Sequence, residues 1–234
     1  MKAGKIARII GLIAIVFVFG FGIYAANKPK EVKRAIWDEQ TTHGSLDAKN
    51  YFVVYTDIMC PYCIAFENAI IENEELFEKY LEENDVLFEV KLTDFLYEYG
   101  TSRPINSRYS AEAVYCAKKE DKFWDYYTTV IKTLWNTFFK EYGKSALSQM
   151  GNIDKEYWIG LGEQVGLGES FRNCVMNDET LDEVKANTAK TVEEDVEGMP
   201  YIVLNKFIAP GFDLGWGWDY VEAFFDEGIK SLTE

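Results

Sequence analysis

The chain has 234 residues, of which 48% are apolar, 27% charged and 16% aromatic. That composition excludes a disordered chain and allows one mid-sized domain or two very small ones. Net charge is −15, and seven of the 24 basic residues lie in the first 34 positions, so the remaining 200 residues carry 17 basic against 38 acidic, a net of −21. Such a body repels phosphate backbones and argues against a nucleic-acid partner. With a single histidine, His43, a His-rich metal site is excluded, and a Cys-His nucleophile exists only if His43 takes part.

After a short tail, residues 1–8, the run IIGLIAIVFVFGFGIYAA at 9–26 holds 18 residues without a charge or a polar stripe. It spans roughly 27 Å, close to the hydrocarbon thickness of a bilayer, and reads as a transmembrane anchor. The rival is a cleaved secretory signal, which wants small residues at the last and third-last positions before the cut. Cutting after Ala26 puts Tyr24 third-last, and cutting after Ala25 puts Ile23 there. Both fit poorly. Basic residues flank the run on both sides, so the positive-inside count chooses no orientation. Long following domains translocate largely regardless of charge, which places the body outside the cytoplasm.

Residues 27–47 are polar and read as a tether. YFVVYT at 51–56 is a buried strand by its β-branched and aromatic run, and Cys60-Pro61-Tyr62-Cys63 follows at once. The helical spacing of Phe66, Ala69, Ile70, Phe77, Tyr80 and Leu81 predicts one helix to about Leu81, and VLFEVKL at 86–92 predicts a second strand. This is a βαβ unit whose first turn carries CxxC. A largely helical stretch follows, with Phe123, Tyr127, Val130, Ile131, Leu134 and Phe138 in register and further helices at 154–165, 168–177 and 179–196. After Gly198-Met199-Pro200 come YIVLN and Phe207-Ile208-Ala209, a predicted hairpin, then a helix near 218–232.

CxxC has two frequent meanings. Half of a zinc site needs a second ligand pair, but Cys116 and Cys174 stand alone and without a nearby His. A redox dithiol between strand and helix fits better, the plain alternative being two buried structural cysteines. Cys60 falls at a helix N-terminus, where unpaired N–H groups favour a thiolate. Pro61 suits the first helical turn. Cys63, one turn deeper, is placed to attack a mixed disulfide on Cys60.

YFVVYTDIMCPYC, the helical insertion and GMPYIVLN together resemble the DsbA-type branch of the thioredoxin superfamily over residues 48–232. The resemblance implies an α/β thioredoxin-like domain, 48–234, with a helical insertion at about 104–197 between the βαβ and ββα halves. It implies that Pro200 is a cis-proline beside the redox cysteines, with Met199 exposing its backbone to an extended substrate. The plain alternative is a trans Pro200 that merely starts an edge strand. Strongly oxidising relatives usually carry His where Tyr62 stands, which implies a milder oxidant. CPYC also resembles the glutaredoxin site, and Met199 stands where Val or Thr is commoner. Related anchored members carry a second cysteine pair in the insertion, which implies a structural disulfide between Cys116 and Cys174; the alternative is two free buried thiols.

Asp57, three residues before Cys60, is a candidate proton acceptor for Cys63, a source of repulsion that raises thiol pKa values, or simply a capping acid. His43 is expected to be exposed in the tether. Trp216 and Trp218 are candidates for a peptide-binding surface or, more simply, for the core. Glu72, Glu74, Glu75 and Glu78 read as a solvated helix face. The functional expectation is a single-pass, extracytoplasmic, monomeric oxidoreductase of the cell membrane that needs no cofactor and no metal. It introduces disulfides into exported cysteine-containing polypeptides through the CPYC dithiol, and a membrane redox partner reoxidises it. The alternatives are a reductase or isomerase of the same fold, or a redox-inactive peptide-binding or chaperone module.

Overall fold

A computed structural model describes residues 38–232. The expected membrane run at 9–26, the tail before it and the first part of the tether lie outside the described residues. Among the described residues no helix is long and apolar enough to cross a membrane.

A 3₁₀ turn, Glu39–Thr41, leads into β1 (Thr42–His43), which pairs antiparallel with β3 (Val86–Leu92). The fold therefore begins before residue 48, within the expected tether, and Asp38 anchors it by an ion pair to Lys118 at 2.6 Å. β2 (Asn50–Thr56) is buried at all but its first residue and runs parallel to β3, with Phe52 opposite Phe88 and Thr56 opposite Leu92. On its other side β4 (Tyr201–Leu204) pairs antiparallel, and β5 (Phe207–Ile208) completes a sheet ordered β1-β3-β2-β4-β5. A strand buried on both faces reads as a continuous apolar run, which is why β2 shows no alternation in sequence.

The single helix predicted to Leu81 is two helices, α1 (Pro61–Ile71) and α2 (Glu74–Glu83). At the break the Asn73 side chain donates to the Ala69 carbonyl at 2.9 Å, and its own carbonyl accepts the Phe77 N–H. Both helices turn apolar faces to one core, so the helical spacing continues across the break and hides it.

The insertion holds α3 (Phe95–Glu98), α4 (Ile105–Lys118), α5 (Phe123–Leu134), α6 (Ala146–Met150), α7 (Lys155–Glu163), α8 (Glu169–Met176) and α9 (Leu181–Glu193). α5 runs on as a π-helical turn, Trp135–Phe139. The last three helices lie within the spans read from the sequence, and the Asp154 carboxylate caps α7 by accepting the Tyr157 N–H. Cys116 on α4 and Cys174 on α8 are disulfide-bonded, with Cα atoms 5.8 Å apart. The final helix, α10 (Trp218–Lys230), lies against the sheet. Gly228 makes that approach possible: a Cβ there would meet Leu204 Cβ at 2.5 Å and a Phe52 ring carbon at 3.0 Å.

His43 is half-buried rather than exposed. Its ring lies 3.9 Å from Trp124 and 5.6 Å from Phe77, and Nδ1 is 2.9 Å from the Glu78 carboxylate. Burial lowers its pKa to about 4 and keeps the ring neutral. A two-residue edge strand is too short to leave a periodicity that sequence could reveal.

Gly228→Ala should lower unfolding stability by about 1–3 kcal/mol through overpacking, read by denaturant titration. The loop between Cys116 and Cys174 has a separation of 58 residues. Replacing both cysteines by Ser should cost about 4 kcal/mol by loop entropy, read by the same titration.

Candidate active site

The site grows out of the junction between β2 and α1. Cys60 is the N-cap of α1, with extended backbone, and Pro61 opens the helix where no N–H is needed. The Cys60 N–H donates to the Asp57 carbonyl at 2.8 Å, so residues 57–60 form a tight turn. Cys63, one turn on, points inward and is fully buried, while Cys60 is 4% exposed. Both thiols are free.

Each sulfur has a backbone partner. Cys60 Sγ donates to the Met199 carbonyl at 3.3 Å. The Met199–Pro200 peptide is cis, and β4 starts directly after it. Cys63 Sγ accepts the Asp57 N–H at 3.5 Å. Burial, and then the neighbouring Cys60 sulfur, push the Cys63 thiol well above its ordinary value. Tyr51, Val53, Tyr55, Leu87 and Val203 surround the pair with apolar surface, with half-buried Tyr62 and Tyr201 at its margin.

The Asp57 carboxylate, fully buried, accepts three hydrogen bonds: from Met59 N–H at 2.9 Å, from Leu96 N–H at 2.8 Å and from the Ser107 hydroxyl at 2.6 Å. Burial raises its pKa to about 6, and these donors act against the rise. The carboxylate is spent on the first turns of α3 and α4, and it opposes ionisation of Cys63 through its charge. Asp94, the N-cap residue of α3, fixes that segment in turn. It takes Arg108 Nε at 2.8 Å and the Thr188 hydroxyl at 2.6 Å.

The structure thus brings Asp57, Cys60, Cys63, Met199 and Pro200 together and leaves the bonded Cys116 and Cys174 in the insertion. Trp218 packs in the core against Phe77, Tyr80 and Phe225, and Trp216 stacks on Tyr220 at 4.4 Å. Neither tryptophan belongs to the apolar cluster around Cys60. Glu72, Glu74, Glu75 and Glu78 are exposed, as a solvated face requires. Sequence reading missed Ser107 and also Lys144, whose ammonium lies 5.0 Å from the centre of the Tyr62 ring. Both come from the distant insertion, and nothing local marks them. Glu67 was missed too, although an acid within the apolar run IAFENAII was a visible signal.

Asp57 is held above its unfolded value, so its contribution to stability is full below about 3.8 and is lost as pH rises through about 6. Ser107 offsets that loss by donating to the ionised form. Ser107→Ala should therefore cost about 1.5–3 kcal/mol above pH 6 and less below it, read from denaturant titrations at several pH values.

No curated protein matches the sequence. Solved structures do share the fold. The catalytic domain of Proteus mirabilis ScsC is 22% identical, with a TM-score of 0.55, over 82% of this chain and 91% of that one. Oxidised BdbD from Bacillus subtilis is 18% identical, with a TM-score of 0.58, over 82% and 93%. The thiol-disulfide exchange protein alpha-DsbA2 from Wolbachia pipientis is 17% identical, with a TM-score of 0.54, over 80% and 85%. A thioredoxin family model matches residues 38–210, from the first described residues through the cis-proline and β5. The chain belongs to the thioredoxin family, as a thiol–disulfide oxidoreductase.

Proposed function

We propose that this oxidoreductase works outside the cytoplasm, tethered to the cell membrane by residues 9–26, and introduces disulfides into exported polypeptides. The observation that carries the reading is the placement of the two thiols. Cys60 stands where a helix begins, beside the backbone of Met199 and Pro200, and Cys63 lies one turn behind it, out of reach of water. A substrate cysteine reaches Cys60 first, and only Cys63 can then complete the exchange within the protein. A substrate strand beside Met199 would hold its cysteine against Cys60 by main-chain pairing.

The direction of exchange rests on two supports. The bonded Cys116–Cys174 pair belongs in an oxidising compartment, because cytosolic thiols are kept reduced. The 18-residue apolar run at 9–26 gives the chain a way to stay at the membrane that borders such a compartment. The chain acts as a monomer, uses no cofactor and passes electrons from its reduced dithiol to a membrane partner that restores the Cys60–Cys63 disulfide.

Cys63→Ala in the full chain, expressed in exporting cells, should accumulate reductant-sensitive adducts of exported cysteine-containing proteins on Cys60. The Cys60→Ala, Cys63→Ala double variant should show none, and absence of adducts with the single variant refutes the mechanism. The reduction potential, read by equilibration with glutathione, should lie above about −200 mV. A value below about −250 mV, near thioredoxin, would instead mark a reductase.

A further inference from the structure

A cation from the insertion stands beside the dithiol and has no part in the mechanism above. α5 runs on into the π-helical turn Trp135–Phe139, which lies against α1, and the chain continues as the helical turn Lys140–Tyr142. Gly143 then redirects it at φ +51, a backbone angle that favours glycine, into the 3₁₀ turn Gly143–Ser145. This brings Lys144 to the face of Tyr62, the residue between Pro61 and Cys63. Its ammonium lies 5.0 Å from the ring centre, within cation–π range, so the contact holds the charge in place instead of leaving it to swing in solvent. Tyr62 itself packs at the margin of the apolar cluster around Cys60 and Cys63.

Lys144 is exposed, and among the described residues no carboxylate forms an ion pair with it. Contact with Tyr62, and then the charge of Asp213, raise its pKa, so the ammonium stays charged wherever a thiolate reacts. Other charges near the dithiol are already engaged or carry the opposite sign. Asp57 accepts three hydrogen bonds, and Asp94 is paired with Arg108. Glu193 and Glu194, whose charges act on Tyr55, share Lys190 at 3.1 and 3.4 Å. Glu197, two residues before Met199, is an exposed acid. Lys132 and Lys140, exposed on the same segment as Lys144, add to its positive charge. Positions 132–144 thus hold three lysines against the single acid Glu141, in a body of net −21. At physiological ionic strength charges beyond about 8 Å are largely screened, so a group in contact with Lys144 feels that ammonium more than the distant acids.

We propose that Lys144 is a specificity-determining residue, which selects polypeptides that carry Asp or Glu beside the reacting cysteine. The proposal rests on Cys60 being the sulfur that a substrate meets. Residues of an extended segment follow one another at about 3.3 Å, so side chains one or two places from a cysteine held at Cys60 reach the surroundings of Tyr62. A carboxylate there pairs with the Lys144 ammonium. A lysine there meets a like charge instead, so the discrimination has an attractive and a repulsive part. The ion pair exists only while the polypeptide is bound. It strengthens the encounter and adds no step to the exchange, and Lys144 passes neither a proton nor an electron.

The test uses the oxidised full chain and synthetic peptides with one cysteine, flanked on both sides by Asp, by Ser or by Lys. Opening of the Cys60–Cys63 disulfide is followed at about 0.15 M salt, with rates expressed per peptide thiolate so that the peptides' own thiol pKa values drop out. The Asp peptide should outpace the Lys peptide by about two- to fivefold, the range that one exposed ion pair gives. Lys144→Met should bring that ratio to about one or below, and Lys144→Glu should invert it. Salt of about 1 M should bring the ratio of the unsubstituted protein close to one. Lys206→Glu, in the turn after β4, changes the net charge as much as Lys144→Glu and should leave the ratio as it is. A faster Lys peptide with the unsubstituted protein, a ratio unmoved by both Lys144 substitutions, or an equal shift with Lys206→Glu overturns the proposal. If the Ser peptide does not open the disulfide at all, it is the dithiol assignment that fails, and the proposal with it.

Discussion

The junction of β2 with α1 depends on the buried carboxylate of Asp57. Its backbone N–H reaches Cys63, its carbonyl takes the Cys60 N–H, and its side chain is tied to Met59, Leu96 and Ser107. One residue thereby fixes both thiols and fastens them to the two segments that begin the insertion. An ionised carboxylate in such a place is costly to bury, and its donors repay that cost only because they come from a rigid surround. Arg108 and Thr188, converging on Asp94, supply part of that rigidity.

The insertion is therefore part of the site and not merely an appendage. It brings Ser107 to Asp57, Lys144 to the face of Tyr62, and Tyr127 to the buried side of α1. The Cys116–Cys174 bond fastens α4, which carries Ser107 and Arg108, to α8. Asp57 meets Cys63 from the end of β2, and with its carboxylate held by three donors it acts by position and charge.

Much of this was legible beforehand. β2 and β3 stood out because strands buried on both faces are continuous apolar runs, and β3 was placed to the residue. Cys60 and Cys63 were marked by local chemistry, a strand end and a helix start with proline, whereas the Met199-Pro200 pair was marked only through the resemblance to the DsbA-type branch. The break at Glu72-Asn73 was hidden because two helices facing one core keep one periodicity. β1 was hidden because two residues cannot show an alternation, and with it the burial of His43 against Trp124.

The sequence by itself determined the α/β order, the dithiol at a helix N-terminus and the membrane-length run ahead of the domain. Each of these is written in neighbouring residues, through backbone preference, capping and hydrophobic period. Only the tertiary structure decided which acids meet the buried thiol, what satisfies them, and that Cys116 meets Cys174. Those contacts join positions dozens of residues apart, and their energies arise from desolvation and hydrogen bonding that exist only once the core has closed.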